Sequence, residues 1–274
     1  MHKSPLQIGV FVIGAGAFGV FFRWLQLQLA FENGLAGASL WNIVVPLGIL
    51  AAAWIFRRFV EQFRDERCHL PADFHGALKN DLLLYRLVRV AIGGIMCLGA
   101  VLLFATSETD PNAGFLRALS LTGLLTGLSW PLLLREANRE PGESKTWLLC
   151  VYALMPVLFF VVWLVYDYKL NSLNSVIWAY VIEVLTVCVC LVSFFRLAGF
   201  AFGQPNAEKA LRLSMLGAFL CLMSLADDRH TGQQIMLFAC AMIQVLYAWI
   251  MVDNLEQGEK PPEPEKPSDG FERL

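Results

Sequence analysis

Long apolar runs alternate with short polar turns along the chain, at 6–31, 40–56, 87–106, 115–134, 147–166, 176–200, 211–226 and 235–252. A hydrocarbon core about 30 Å thick is crossed by about 20 helical residues. Backbone polar groups in lipid must be satisfied internally, which leaves helices or closed barrels. Barrel strands alternate apolar and polar residues over about 10 positions, whereas these runs are continuous and longer. The pattern predicts an all-α polytopic membrane helix bundle of about eight transmembrane helices within 1–255. The runs use most of the 274 residues, so no stretch is left for a soluble domain of about 100 residues.

The turns carry their own signals. Asn33-Gly34, the segment 110–114, 171–175 and 228–232 supply turn formers that fold the spans into hairpins. The longest connection, 57–85, first continues the second helix. Phe59, Val60 and Phe63 fall on one side and Arg58, Glu61, Arg64 and Asp65 on others, as in an interfacial amphipathic helix. Pro71 ends it, and Leu78, Leu82 and Tyr85 restart a helix into the third span. The segment 256–274 contains Glu-Lys-Pro-Pro-Glu-Pro-Glu-Lys-Pro and predicts a disordered cytoplasmic tail.

A 4+4 internal repeat is suggested by parallels between the halves. Trp24-Leu25 matches Trp163-Leu164, and Phe56-Arg57 matches Phe195-Arg196. Gly93 with Cys97-Leu98 matches Gly217 with Cys221-Leu222. Tryptophan is common at membrane interfaces, so coincidence is the competing explanation.

Composition agrees with the pattern: 57% hydrophobic and 16% charged, with mean hydropathy +0.56, which no ordinary soluble domain shows. Charge adds orientation. With both termini inside, 17 of the 21 Lys and Arg fall on inner flanks, Arg117, Lys169 and Arg229 on outer flanks, and Arg23 within a span. Basic loops stay in the cytoplasm, so both termini are expected there. Net charge is only −2; the basic inner collars suit anionic lipid headgroups and imply no nucleic acid. The first run outlasts the 7–15-residue core of a signal peptide and is read as a retained span. Of seven cysteines, six lie in spans and Cys68 on an inner loop, so no disulfide is expected.

Gly14-Ala15-Gly16-Ala17-Phe18-Gly19 fits the dinucleotide fingerprint, but the run continues apolar with no second strand before Glu32. Close helix packing through small residues explains it better. Arg23 lies about 8 residues, or about 12 Å, from the outer end of its span. Gly16, Gly19, Arg23 and Gln26 share a helical face, so the charge points into the bundle. Intramembrane charges are costly and mark functional sites by default. Glu183, at similar depth in the sixth span, is the natural counter-charge, and contact between the two is expected. Asn42 and Gln233 complete a candidate ligand-binding set of Arg23, Gln26, Asn42, Glu183 and Gln233.

Other polar groups carry less. Asp227-Asp228-Arg229-His230 reads as a solvated outer turn, and Asp167 as part of an acidic outer surface. Asp167 has no second intramembrane aspartate for a shared-proton pair. Cys68, His69, Asp73 and His75 match no zinc spacing. No H-E-x-x-H, G-x-S-x-G or Walker motif is present, and neither cofactor nor metal is expected.

Arg23-Trp24-Leu25-Gln26-Leu27, Phe31-Glu32-Asn33-Gly34-Leu35 and a second span ending Arg57-Arg58 resemble uncharacterised multi-span membrane proteins of Clostridia-type bacteria. Those carry an Asp-Thr-Gly-Leu-like turn, here the shorter Glu32-Asn33-Gly34-Leu35. The resemblance covers the first two spans. It implies a bacterial inner membrane and no particular chemistry. Three readings follow, in order of preference. The first is binding or movement of a small solute or lipid through an outer-half polar pocket. The second is a scaffold or sensor subunit with a protein partner at the inner loop. The third is an embedded enzyme.

Overall fold

The computed structural model describes residues 5–29, 31–32, 35–36, 40–65, 68–69, 74–80, 82–139, 146–172 and 177–257. Its helices are α1 (Pro5–Leu29), α2 (Trp41–Asp65), α3 (Phe74–Leu78), α4 (Leu83–Thr106), α5 (Ala113–Ala137), α6 (Thr146–Asn171), α7 (Ile177–Ala201), α8 (Ala207–Met223) and α9 (Thr231–Asp253). Single 3-10 turns, Ser107–Thr109 and Ser224–Ala226, follow α4 and α8. Two antiparallel ladders of two residues per strand join Phe31–Glu32 to Leu35–Ala36 and Cys68–His69 to Glu256–Gln257.

Among the described residues, seven helices are long and apolar enough to cross a membrane. The eighth long helix, α5, has 25 residues, but its buried face carries Ser120, Thr122, Gly123, Thr126, Gly127 and Ser129. These small residues dilute its hydropathy and let α4 approach. A Cβ added at Gly93 of α4 would lie 2.7 Å from the Gly127 carbonyl oxygen, and one at Gly99 would lie 2.9 Å from that of Gly232. Such close crossings are how helices gain contact where lipid offers no hydrophobic drive.

α5 nevertheless runs the full depth of the bundle. Before α4, the Asn80 backbone N–H donates to Asn138 Oδ1 (2.8 Å), and Asn138 Nδ2 donates to the Asn80 carbonyl (2.7 Å) just past α5. At its other end Asp110 lies 3.2 Å from His230 Nε2, beside the start of α9. Gly9 packs on Trp249, so the start of α1 and the end of α9 share one end of the bundle. The opposite end, which gathers the α8–α9 turn, is called the Asp227 end below.

α8 and α9 form the centre. α9 packs on α1, α4 and α8, and α8 on α1, α2, α7 and α9, while α4 to α7 follow one another around the rest. Phe159, Phe160, Trp163, Phe194 and Tyr247 pack edge-to-face and stacked through the α6–α7–α9 core with ring centroids 5.0 to 6.5 Å apart. The large apolar residues left exposed, such as Leu47, Leu50, Leu98 and Val101, lie on the outward faces where a bilayer would cover them.

The α7–α8 turn shows how closely local sequence dictates structure. Gly203 takes φ 68°, the left-handed value that favours glycine. Gln204 N–H then donates to the Gly199 carbonyl (2.8 Å), the cap of a Schellman motif. Asn206 accepts from Lys209 N–H (3.2 Å) and starts α8. At 17 residues α8 is the shortest of the long helices, about 26 Å against about 38 Å for a 25-residue helix. The α8–α9 turn is therefore drawn into the bundle.

The suggested repeat maps α1, α2, α4 and α5 onto α6, α7, α8 and α9. Neighbours are shared for α1–α2 and α6–α7, and for α4–α5 and α8–α9. The close packing of α1 and α2 on α8 has no equally close counterpart of α6 and α7 on α4. Trp24 is exposed, and Trp163, its supposed equivalent, is buried.

Residues 74–80 of the connection after α2 pack on their own bundle. α2 extends to Asp65 as the amphipathic reading expects, with Val60 buried. The short α3 was not foreseen; it packs on α5 and α9. Asn254 Nδ2 donates to the carbonyls of Ala77 (3.1 Å) and Lys79 (2.9 Å). The predicted disordered tail lies outside the described residues from 258 onward, as do Pro71 and Asp73.

Candidate functional site

All five residues singled out in the sequence lie toward the Asp227 end. Arg23 and Gln26 project from the last two turns of α1, and Asn42 from the first turn of α2. Glu183 comes from the second turn of α7 and Gln233 from the first turn of α9. Arg23 is fully buried. Its Nη1 donates to Gln26 Oε1 (2.6 Å), and Gln26 Nε2 donates to Asn42 Oδ1 (3.0 Å). Gln233 is buried against Tyr166.

The expected Arg23–Glu183 contact is corrected. Arg23 Nε donates to Asp227 Oδ1 at 2.7 Å, and the cation beside Glu183 is Arg229, its Nε 2.9 Å from Oε1. Arg229 Nη2 also donates to Asp227 Oδ2 (3.0 Å) and to Ser224 Oγ (2.6 Å), and Ser224 Oγ donates to Asp227 Oδ2 (3.0 Å). Charges alternate along Arg23, Asp227, Arg229 and Glu183, so the two predicted residues belong to one network with two residues between them.

The reading of 227–230 as a solvated turn is corrected with it. Asp228 is exposed, but Asp227 is buried and the Arg229 side chain is 4% exposed. Because α8 is short, the turn descends between α1, α7 and α9, and its charges find counter-charges there. Gln234 Nε2 secures it by donating to the Asp227 carbonyl (3.2 Å). The one sequence signal was that 211–226 is the shortest apolar run.

Asp167 is a second omission. Assigned to the outer surface, it is fully buried. It stands one turn beyond Trp163 on α6, whose indole N–H donates to Glu183 Oε1 (3.4 Å). Asp167 thus faces Glu183 and Arg229.

Beside this polar layer lies an apolar groove of about 560 Å³ between α1, α2 and α8. Gly14, Ala15, Gly48 and Ala52 keep it open, and Phe18 and Phe56 are among its walls. A Cβ at Gly14 or Gly48 would meet nothing within 4 Å. The glycine-rich segment is thus divided by role. Gly14 borders the groove, Gly16 presses on Leu222, and Gly19 does both, lining the groove and pressing on Phe219 and Met223. Each groove helix turns polar at one level: Gly19 is followed by Arg23, Val45 preceded by Asn42, and Met223 followed by Asp227, each within about one turn.

Among the described residues no group of three His, Cys, Asp or Glu side chains could hold a metal ion. Cys68 and His69 belong to the ladder with 256–257, and His75 Nδ1 lies 3.1 Å from the Ala137 carbonyl oxygen. Among the described residues six cysteines are free, and Cys190 Sγ lies 3.2 Å from Cys221 Sγ. No family model, curated protein or solved structure matches the chain. The protein is a multi-pass, all-α integral membrane protein with a buried ion-pair layer at one end and an apolar lateral groove beneath it.

Proposed function

We propose that this protein binds an amphiphile of the lipid class, its acyl chain in the α1–α2 groove and its polar end against the Arg23–Gln26–Asn42 layer. The observation that carries this reading is the shared change from apolar to polar on all three groove helices at one level. A lipid has the same profile along its length. The groove volume, about 560 Å³, falls in the range of about 300–1,000 Å³ usual for ligand sites. From Val10 to Phe22 it follows α1 for about 18 Å, over half of the apolar thickness of a bilayer.

The interior favours this over a solute channel. Arg23, Asp227 and Arg229 are enclosed and paired, whereas a solute path through the centre would need water around them. The scaffold reading draws less support, because α3 and its flanking residues bond to α5 and α9 of the same chain. The proposed setting is a bacterial inner membrane with both termini cytoplasmic, supported by the basic bias and by the shared end of α1 and α9.

Native mass spectrometry of protein purified in mild detergent tests the reading. Wild type is expected to carry an adduct of lipid mass. Gly14→Leu and Gly48→Leu fill the groove without touching the core and are expected to shed it. A clean wild-type spectrum, or an adduct that survives both substitutions, contradicts the proposal.

A further inference from the structure

The charge layer contains one carboxylate too many. Among the described residues the enclosed cluster holds Asp227, Glu183 and Asp167 against Arg23 and Arg229. Asp227 is matched by both guanidinium groups and Glu183 by one. Asp167 is fully buried, with no well-formed hydrogen bond to either oxygen, and Glu183 and the Trp163 indole are the polar neighbours within reach. An ionised carboxylate in that position is costly, and such groups neutralise themselves by taking positive charge. Two facing carboxyl groups commonly solve this by sharing one proton.

We infer that Asp167 and Glu183 form a proton-binding site, holding one exchangeable proton between their carboxyl groups. From α7, Glu183 and Cys188 face Asp167. Arg229 faces it from the α8–α9 turn, and Trp163 and Tyr166 adjoin it on α6. Asp110, paired with His230, lies beyond Tyr166. A cavity of about 600 Å³ on the α6–α7 side is lined by Asp167, Asn171, Ser172 and Tyr180 together with apolar Leu164, Val165 and Val184, and the proposed route to the buried carboxyl starts there. Exposed Ser172 marks its outer mouth. In the exchange a water admitted from the cavity to the buried carboxyl loses an O–H, an O–H forms on Asp167, and hydroxide leaves; no oxidation state changes. The inference is independent of what occupies the groove. It turns an apparent surface residue into the kind of intramembrane carboxyl that relays protons.

Infrared difference spectroscopy on the full chain in liposomes tests it. At neutral pH wild type is expected to show the carbonyl stretch of a protonated carboxyl group, shifted in D2O and abolished at alkaline pH. Asp167→Asn is expected to lose one such group per chain; Asp167→Glu is expected to restore it. Should Asp167→Asn fail to fold, the pH and D2O response of wild type decides alone. A wild type lacking an exchangeable carboxyl signal, or a signal undiminished in folded Asp167→Asn, overturns the inference. Replacing sodium by choline at constant pH separates the other source of positive charge. A signal that sodium removes would assign the site to a monovalent metal cation and overturn the proton.

Discussion

Asp227 holds the charge layer together, so Asp227→Asn should cost more than any other neutral replacement in it. Its Oδ1 accepts from Arg23, and its Oδ2 from Arg229 and Ser224. An asparagine offers one oxygen and one NH2, so one of the two guanidinium groups then meets a donor instead of an acceptor. The aspartate side chain is 10% exposed and that of Arg23 0%, which leaves water little room to compensate. Breaking a buried ion pair from one side costs about 3–5 kcal/mol. Glu183→Gln is the comparison. Glu183 is 15% exposed, its contact with Arg229 Nε lacks hydrogen-bond alignment, and Asp227 still holds Arg229; about 1 kcal/mol is expected. At about 2–4 °C per kcal/mol for a chain of this size, Asp227→Asn should melt roughly 6–20 °C below wild type and Glu183→Gln about 2–4 °C below. The assay is thermal unfolding in detergent with a fluorogenic thiol dye, because Cys190, Cys221 and Cys240 are buried and react on opening. A Glu183→Gln variant that falls as far as Asp227→Asn would refute the argument that Asp227 is the hub.

Adjacent glycines on α4 offer an internal control. Gly93→Ala drives a methyl toward the Gly127 carbonyl and Pro131 and should destabilise by about 1–3 kcal/mol. Gly94→Ala meets nothing and should be neutral or stabilise by up to about 1 kcal/mol; equal melting points would contradict the crossing. Gly203→Ala, at φ 68°, should lower stability by about 1 kcal/mol in the same assay. An impermeant thiol reagent should label Asp228→Cys from outside intact cells, and a C-terminal epitope should resist external protease. Digestion of the epitope would overturn the proposed orientation.

The bundle was legible because its signal is local: run length, continuity and turn residues. The inward direction of Arg23 was equally readable, since Gly16, Gly19 and Gln26 share its face and small residues pack against neighbours. Its partner was not, because Asp227 and Arg229 sit in a turn whose depth is a tertiary property. It depends on α8 being about 12 Å shorter than a 25-residue helix, which matters only once the neighbours stand beside it. Asp167 was misplaced for a related reason. It lies near the end of its own apolar run, and its enclosure comes from α7 and the α8–α9 turn closing over it. The groove was invisible for a third reason. The glycines bordering it carry the same letters as those that pack, and only the sparse contact between α1 and α2 separates Gly14 from Gly16.

A clickable, photoactivatable fatty-acid lipid, crosslinked in liposomes and mapped by peptide mass spectrometry, tests lipid binding in the groove most directly. Adducts concentrated on the groove faces of α1 and α2, among Val10, Phe18, Gly48 and Ile55, and lost in Gly48→Leu are the predicted result. Adducts spread evenly over the lipid-facing surface, with Leu98 and Val101 of α4 labelled as strongly, would contradict it.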